Sequence, residues 1–252
     1  MPDRKPAWIR LLAAVGVLAL VVPACAALYI YPNFKLHLDA KFRARDDAFY
    51  WKTPVALSDS TSAPVKGEPI AYAGVTFSAP WELSASSAPR VMNPHWAFID
   101  FETGLRMTLV TVAPGEAVHV TVALAKGGDS GVQYPFDITV PNYEEMRGTL
   151  FSTPATVRMF TSRAKAKAAD DALTRKWELT QNHNDGIFTV NGPECRGFQI
   201  GSLVTSDWGI RLLLYTGKRN VQIRIGKQHP DVGPPVTQAD LNLIVQTLGD
   251  AD

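Results

Sequence analysis

An apolar run without a charged side chain occupies residues Leu11 to Tyr31, near the start of the chain. Three basic residues, Arg4, Lys5 and Arg10, precede it. About twenty residues of helix at ~1.5 Å each reach ~30 Å, which is the thickness of the hydrocarbon part of a bilayer. The pattern therefore predicts one N-terminal transmembrane or signal helix within residues 1–31.

Three fates of this segment fit the residues and stay open. A retained signal anchor keeps the whole run. A cleaved signal peptide ends near Ala26, because Pro23 breaks the run and Ala24-Cys25-Ala26 has the small-residue pattern of a cleavage site. A lipoprotein is acylated on Cys25. We favour the anchor, because Leu28 to Tyr31 continue the apolar run and end it with tyrosines typical of a membrane interface.

The expected orientation in the membrane follows from the order of basic and apolar residues in the N-terminal segment. Basic residues such as Lys35 and Lys41 also follow the run, so the difference in positive charge across it is small. The leader is short and has the order of an export signal, which favours an N-terminus inside the cell. We expect a single-pass inner-membrane protein with its C-terminal domain in the periplasm, or a secreted or periplasmic protein after cleavage near Ala26.

Residues 32–69 separate the apolar run from the first clear strand. Lys35 to Lys52 mixes charges with spaced apolar side chains and predicts a juxtamembrane helix. Pro54 to Pro69 is rich in Ser, Pro and small residues, so it buries too little apolar surface to order itself. We interpret it as a linker.

Period-two alternation and short apolar runs bounded by turn residues predict a series of strands in the rest of the chain. These runs are Val75–Ala79, Trp96–Phe101, Leu105–Val112, Val118–Leu124, Ile187–Val190, Gly197–Leu203, Gly209–Tyr215 and Val221–Ile225. The last two have a hairpin-length connection and are expected to pair with each other.

Two helices are predicted beyond the leader. The first begins at Pro154 with Thr153 as N-cap and continues to about Trp177, because Val157, Phe160, Ala164 and Ala168 recur at three- and four-residue steps. The second begins after Thr237, which forms a capping box with Asp240, and ends at Gly249 as a C-cap residue.

The order of strands, helix, strands and helix indicates an α+β fold. Hairpin-length connections are too short for parallel crossovers, so the sheet is expected to be largely antiparallel and packed by helices, as in an α/β/α sandwich. Residues 70–249 have the length of a single domain.

The stretch Gly74-Val75-Thr76-Phe77-Ser78-Ala79-Pro80-Trp81 is similar to the first strand of PsbP-like domains. The central helix, the later meander and the closing helix also resemble the plan of that family. The resemblance covers about Ile70 to Gly249 and implies an α/β/α sandwich that works as a non-catalytic accessory or partner-binding subunit. It identifies no functional residue.

Charge and cysteine content exclude some classes of protein. The formal net charge of +1 gives no reason to expect a nucleic-acid partner. The two cysteines are Cys25 in the leader and Cys195 in the body, so no disulfide forms within the domain.

Candidate chemistry is sparse. Cys195 is a candidate nucleophile with His183 as base and Asp185 as orienting group, but a small packed cysteine is the preferred interpretation. The five histidines have no spacing that aims two of them at one metal ion, so neither a metal nor a cofactor is expected. Four tryptophans offer a wall for a ligand cleft: Trp81, Trp96, Trp177 and Trp208.

These observations lead to a functional expectation. The protein is interpreted as a membrane-anchored extracytoplasmic accessory or adaptor that binds another envelope component and has no catalytic residues. The alternatives are a small-ligand or lipid-binding domain and a hydrolase that uses Cys195 with His183.

Overall fold

The computed structural model describes residues 7–25, 31–45, 47–57, 67–84, 90–124, 132–139, 141–180, 186–201, 209–227 and 236–251. The helices of these ranges are α1 (Ala7–Cys25), α2 (Tyr31–Arg43), α3 (Tyr143–Leu150), α4 (Arg163–Thr180) and α5 (Gln238–Thr247), with 3-10 turns at Ala48–Trp51 and Pro154–Thr156. The strands are β1 (Val55–Ala56), β2 (Glu68–Tyr72), β3 (Val75–Ala79), β4 (Arg90–Asn93), β5 (Trp96–Asp100), β6 (Leu105–Val112), β7 (Ala117–Leu124), β8 (Val132–Thr139), β9 (Ile187–Asn191), β10 (Arg196–Ile200), β11 (Ile210–Tyr215), β12 (Asn220–Lys227) and β13 (Gly249–Asp250).

The chain forms two compact units that each combine separate stretches of sequence. The first unit consists of Met1–Lys52 and Ser152–Glu178, and its described elements are helical. The second unit consists of Thr53–Phe151 and Leu179–Asp252 and contains the strands. We refer to them as the helical unit and the sheet unit.

The sheet unit contains an eight-stranded sheet in the order β1-β9-β10-β11-β12-β6-β5-β4. Its described pairs are antiparallel except for β1 with β9. The expected hairpin is present, because β11 and β12 pair from Ile210–Ile225 to Tyr215–Asn220. The prediction of an α+β fold with a largely antiparallel sheet is confirmed.

One face of this sheet forms the hydrophobic core. Alternate side chains of its central strands point to the same side, so a period-two sequence places its apolar members together. The core residues on this face include Ile99, Met107, Leu109, Leu212, Leu214 and Ile223. They pack with side chains of α5 and of the small sheet β13-β3-β2, and each buried aliphatic contributes about 1.5–3 kcal/mol before entropy costs.

The closing helix begins as predicted and ends differently. Thr237 Oγ1 accepts from the Asp240 N–H, and the Asp240 carboxylate accepts from the Thr237 N–H at 2.7 Å, which is the expected capping box. The prediction of Gly249 as a C-cap is wrong. The chain leaves the helix through an extended Leu248, and Gly249 pairs with Thr76 in the small sheet.

The predicted helix from Pro154 is also wrong in its first turns. Pro154 begins only a short 3-10 turn, and Thr153 makes no side-chain capping bond. Helix α4 begins at Arg163, where Ser162 Oγ accepts from the Lys165 N–H at 3.3 Å. Phe160, which the periodicity placed on the apolar stripe, is 80% exposed between the two elements.

The expectation of a membrane-spanning helix over Leu11–Tyr31 is not supported. Helix α1 ends at Cys25, and residues 26–30 lie outside the described residues. Across the ranges that the structure describes, no helix combines the length and the apolar character that a bilayer crossing requires.

Two glycines offer a matched test of the core. A Cβ on Gly197 in β10 would lie 2.0 Å from the Leu213 carbonyl oxygen, whereas a Cβ on Gly148 in α3 meets nothing within 4 Å. We expect Gly197→Ala to lower the free energy of unfolding by about 2–3 kcal/mol, because strands β10 and β11 must separate. Gly148→Ala should raise it by about 0.5–1 kcal/mol, since alanine favours the helix. Urea unfolding curves measure both, and equal effects would contradict the described packing of β10 against β11.

Candidate functional site

Helix α1 exposes apolar side chains in every direction around its axis. Every described side chain from Val15 to Cys25 is exposed. The large ones are between 50% and 75% exposed: Val15, Val17, Leu18, Leu20, Val21 and Val22. At about 100° per residue these positions point to all sides of the helix. A helix that is apolar all round is typical of an apolar environment and not of one wetted by water.

Helix α2 packs against other segments of the helical unit through one of its faces. Asn33 is buried, and its Nδ2 donates to the carbonyl oxygens of Thr161 at 2.7 Å and Met159 at 3.3 Å. One turn later, His37 Nδ1 donates to the Val157 carbonyl oxygen at 2.6 Å. Ala40 and Ala44 continue this face into a small core with Val157, Leu173 and Tyr50.

An ion pair joins α2 to α4 beside an open cleft. The Arg43 guanidinium contacts the Asp170 carboxylate and donates to Thr174 Oγ1 at 2.9 Å. Asp39 and Phe42 complete the lining of the cleft, whose volume is about 460 Å³. A small apolar ligand requires an enclosed apolar cavity. This cleft is open and three of its four lining residues are charged, so it does not favour that alternative.

Lys176 of the helical unit has a pKa that lies well below its ordinary value. It is fully buried in α4, and its Nζ donates to the backbone carbonyls of Lys52 at 2.5 Å, Ser152 at 2.7 Å and Tyr50 at 3.4 Å. Burial lowers the pKa of Lys176 from 10.5 to about 8, because the charged amine loses water. The three carbonyls favour the charged form and oppose this shift. Periodicity along the chain does not indicate that this lysine is buried.

Cys195 occupies the core of the sheet unit. Its side chain is 6% exposed, and its Sγ donates to the Val245 carbonyl oxygen at 3.3 Å. Burial raises the pKa of the Cys195 thiol to about 11, which disfavours the nucleophilic thiolate. The proposed partners His183 and Asp185 lie outside the described residues.

Trp81 and Trp96, whose positions in the sheet unit are described, do not line a common wall. Trp81 is buried in the core, where its ring meets Phe101 edge-on at 5.2 Å. Trp96 meets Phe98 at 5.2 Å on the opposite face of the large sheet. Trp177 belongs to the helical unit and is 39% exposed, and Trp208 lies outside the described residues.

Histidines make local contacts where their side chains are described. His95 Nδ1 lies 3.2 Å from the Thr111 carbonyl oxygen, and its Nε2 lies 3.6 Å from Glu116 Oε1. The side chain of His119 and the whole of His183 and His229 lie outside the description. Among the described residues, no three His, Cys, Asp or Glu side chains gather as metal ligands do. The expectation that no metal is bound stays a prediction.

Two pairs of acids that are adjacent in sequence, Glu144–Glu145 and Asp170–Asp171, cap a helix or form ion pairs. Glu145 closes a capping box with Asn142 at the start of α3, and Glu144 lies 3.5 Å from Arg147. Asp170 binds Arg43, and Asp171 binds Lys167 at 2.7 Å across one helical turn. Each carboxylate of the two pairs thus has its own partner.

No sequence pattern predicts the aromatic cluster that lies on the second face of the large sheet. Tyr143 of α3 stacks on Phe198 at 5.5 Å and meets Tyr215 edge-on at 5.5 Å. The Arg196 guanidinium lies 3.9 Å from the centre of the Tyr143 ring, which is a cation–π contact. Burial raises the pKa of Tyr215 above its ordinary value of 10. The register of β10 and β11 brings Arg196, Phe198 and Tyr215 together, and the packing of α3 on this face adds Tyr143.

Comparison with known proteins adds no identity. No known protein family matches the chain, and no curated protein or solved structure is significantly similar to it. The resemblance to PsbP-like domains therefore stays a prediction.

The pKa of Lys176 predicts how stability changes with pH. Between about pH 8 and 10.5 the unfolded chain keeps a proton on this amine that the folded protein has released, so the free energy of unfolding rises with pH. We expect wild type to gain on the order of 3 kcal/mol over Lys176→Met across this range. Urea unfolding of both proteins at several pH values measures the difference, and the comparison cancels the shared tyrosines. Parallel pH dependences would contradict the assignment.

The burial of Cys195 predicts an unreactive thiol. In a Cys25→Ser variant, we expect Ellman's reagent to modify Cys195 at least ~100-fold more slowly in the folded protein than in urea, because the thiolate is rare and enclosed. The matched control is Ala168→Cys in a background without Cys25 and Cys195, since position 168 is exposed and its thiol should react at once. A rapid reaction of Cys195 in the folded protein would instead favour the hydrolase.

Proposed function

We propose that the protein is a membrane-anchored, extracytoplasmic and non-catalytic accessory or adaptor that binds another component of the cell envelope. Its N-terminal segment, Leu11–Tyr31, enters the bilayer, and the residues that follow it lie on the periplasmic side of the inner membrane. Cleavage near Ala26 is the alternative fate of the segment and releases a periplasmic or secreted protein.

The exposure of α1 carries this proposal. Val17, Leu20 and Val22 point to different sides of the helix, and each is more than half exposed. Burying such side chains in an apolar phase gains about 1.5–3 kcal/mol each. In water this gain is lost, so lipid is the favourable surrounding for α1. The basic residues Arg4, Lys5 and Arg10 before the apolar run have the order of an export signal.

Three of the described polar groups support a non-catalytic role in this proposal, because they are enclosed or already hydrogen-bonded. Cys195 is enclosed, and the acids Glu145 and Asp240 are occupied in helix caps. A binding role also agrees with the PsbP-like α/β/α plan. In its favour, α5 packs on one face of the large sheet, while Tyr143 of α3 contacts Phe198 and Tyr215 on the other.

Two lysines in the apolar helix test the anchor. We expect Val17→Lys with Val21→Lys to move the full-length chain from the carbonate-resistant membrane fraction to the soluble fraction, because each lysine near the bilayer centre costs about 2.5–3.5 kcal/mol. Val55→Lys is the matched control, since Val55 is 55% exposed and lies outside α1.

Intact mass of the same fractions decides the fate of the segment. A full-length mass in the membrane supports the anchor, and loss of residues 1–26 supports a cleaved signal peptide instead. An unprocessed wild-type chain in the soluble cytosol would contradict the proposed function.

A further inference from the structure

The outer face of α2 combines aromatic and basic side chains. Tyr31, Phe34 and Phe42 are 64%, 40% and 62% exposed. Lys35 and Lys41 are exposed beside them. These residues are related by spacings of three, four and seven, so they share one side of the helix. They lie opposite the face that packs through Asn33, His37, Ala40 and Ala44.

The positive charges of this face are not neutralised by the protein. Neither Lys35 nor Lys41, nor Arg45 in the turn after α2, lies within ion-pairing distance of a carboxylate in the described part of the chain. Asp39, the acid of α2, is exposed one turn from Lys35 and lines the cleft together with Phe42 and Arg43, so the basic side chains outnumber it. The face therefore presents positive charge together with exposed aromatic rings.

A second segment of the same composition lies beside the first turn of α2. Asn33 Nδ2 holds the carbonyls of Met159 and Thr161, which flank Phe160. Phe160 is 80% exposed, and Arg158 and Arg163 on either side are exposed as well. The helical unit thus places two aromatic and basic surfaces near the end of α2 that follows the apolar segment.

We propose that the basic-aromatic face of α2, formed by Tyr31, Phe34, Lys35, Lys41 and Phe42, lies on the anionic head groups of the membrane that the N-terminal segment enters. Aromatic rings favour the boundary between head groups and acyl chains, and lysines favour anionic phospholipid. Helix α2 begins six residues after α1 ends, so a membrane entered by α1 is within reach. This inference rests on the proposed function.

A fluorophore on the face tests the contact. Full-length protein carrying Cys25→Ser and Phe42→Cys is labelled with an NBD dye and placed in nanodiscs of neutral phospholipid, or of neutral phospholipid with about one third anionic lipid. We expect stronger, blue-shifted emission in the anionic discs and its reversal in about 0.5 M salt, because salt screens the lysines. The same label at Ala168→Cys, an exposed position of α4, should not respond to lipid charge.

Charge variants test whether the basic residues of α2 and of the turn after it cause the docking on anionic lipid. Each basic residue near an anionic surface changes the ratio of docked to undocked protein about fivefold, so the triple variant Lys35→Gln, Lys41→Gln and Arg45→Gln should lower it on the order of 100-fold. The matched control removes the same charge from exposed positions of α4, with Lys165→Gln, Lys167→Gln and Arg175→Gln, and should leave it unchanged. Thermal melting checks that each variant is folded.

The outcomes separate this inference from the proposed function. A chain that inserts into neutral discs, but whose label at position 42 gives the same emission with and without anionic lipid, would overturn the docking of α2 and leave the anchor intact. An emission that depends on the number of chains per disc would assign the face to a second copy and would also overturn it. A chain that stays out of neutral discs would contradict the anchor, and anionic vesicles added to the soluble protein would then test the face by itself.

Discussion

The burial of one amine connects remote segments of the helical unit. Lys176 Nζ binds the carbonyls of Lys52, Ser152 and Tyr50, and Lys52 is 124 residues away in sequence. Removing an ammonium from water costs several kcal/mol, so the arrangement is stable only when all of its acceptors are in place. Helix α4 therefore cannot take its place without the segments around residues 50 and 152. This dependence explains how stretches so far apart in the chain form one compact unit.

The packing of α2 against residues 157–161 decides which of its side chains stay exposed. Asn33, His37 and Ala40 are used in packing, which leaves the aromatic and basic residues of the opposite face exposed. Helix α1 adds apolar side chains on all sides. Water is an unfavourable surrounding for α1, and an anionic lipid surface suits the outer face of α2. The two proposals therefore depend on one physical argument, namely that these side chains gain free energy at a membrane.

The sheet unit uses its chemically active side chains for stability. Cys195 is enclosed in the core, Glu145 and Asp240 cap helices, and Asp100 binds Arg106 with oxygen–nitrogen distances of 2.6 and 3.0 Å. A catalytic group needs access to substrate and a pKa suited to its task. Among the described residues, these four groups are packed or paired instead.

Local patterns along the sequence determined the apolar N-terminal helix, most strand positions, the antiparallel sheet and the Thr237–Asp240 capping box, because each depends on neighbours within a few residues. The tertiary structure alone decided that Lys176 is buried, that Phe160 leaves the helical stripe and that Tyr143 meets Tyr215. It also paired Val55 and Ala56, in the expected linker, with β9. The common reason is distance along the chain: carbonyl acceptors, strand register and a covering face come from remote segments, and no local pattern encodes them. Periodicity indicates which side of a helix or strand is apolar and which is polar. Only packing decides which of these sides contacts the rest of the protein and which contacts its surroundings.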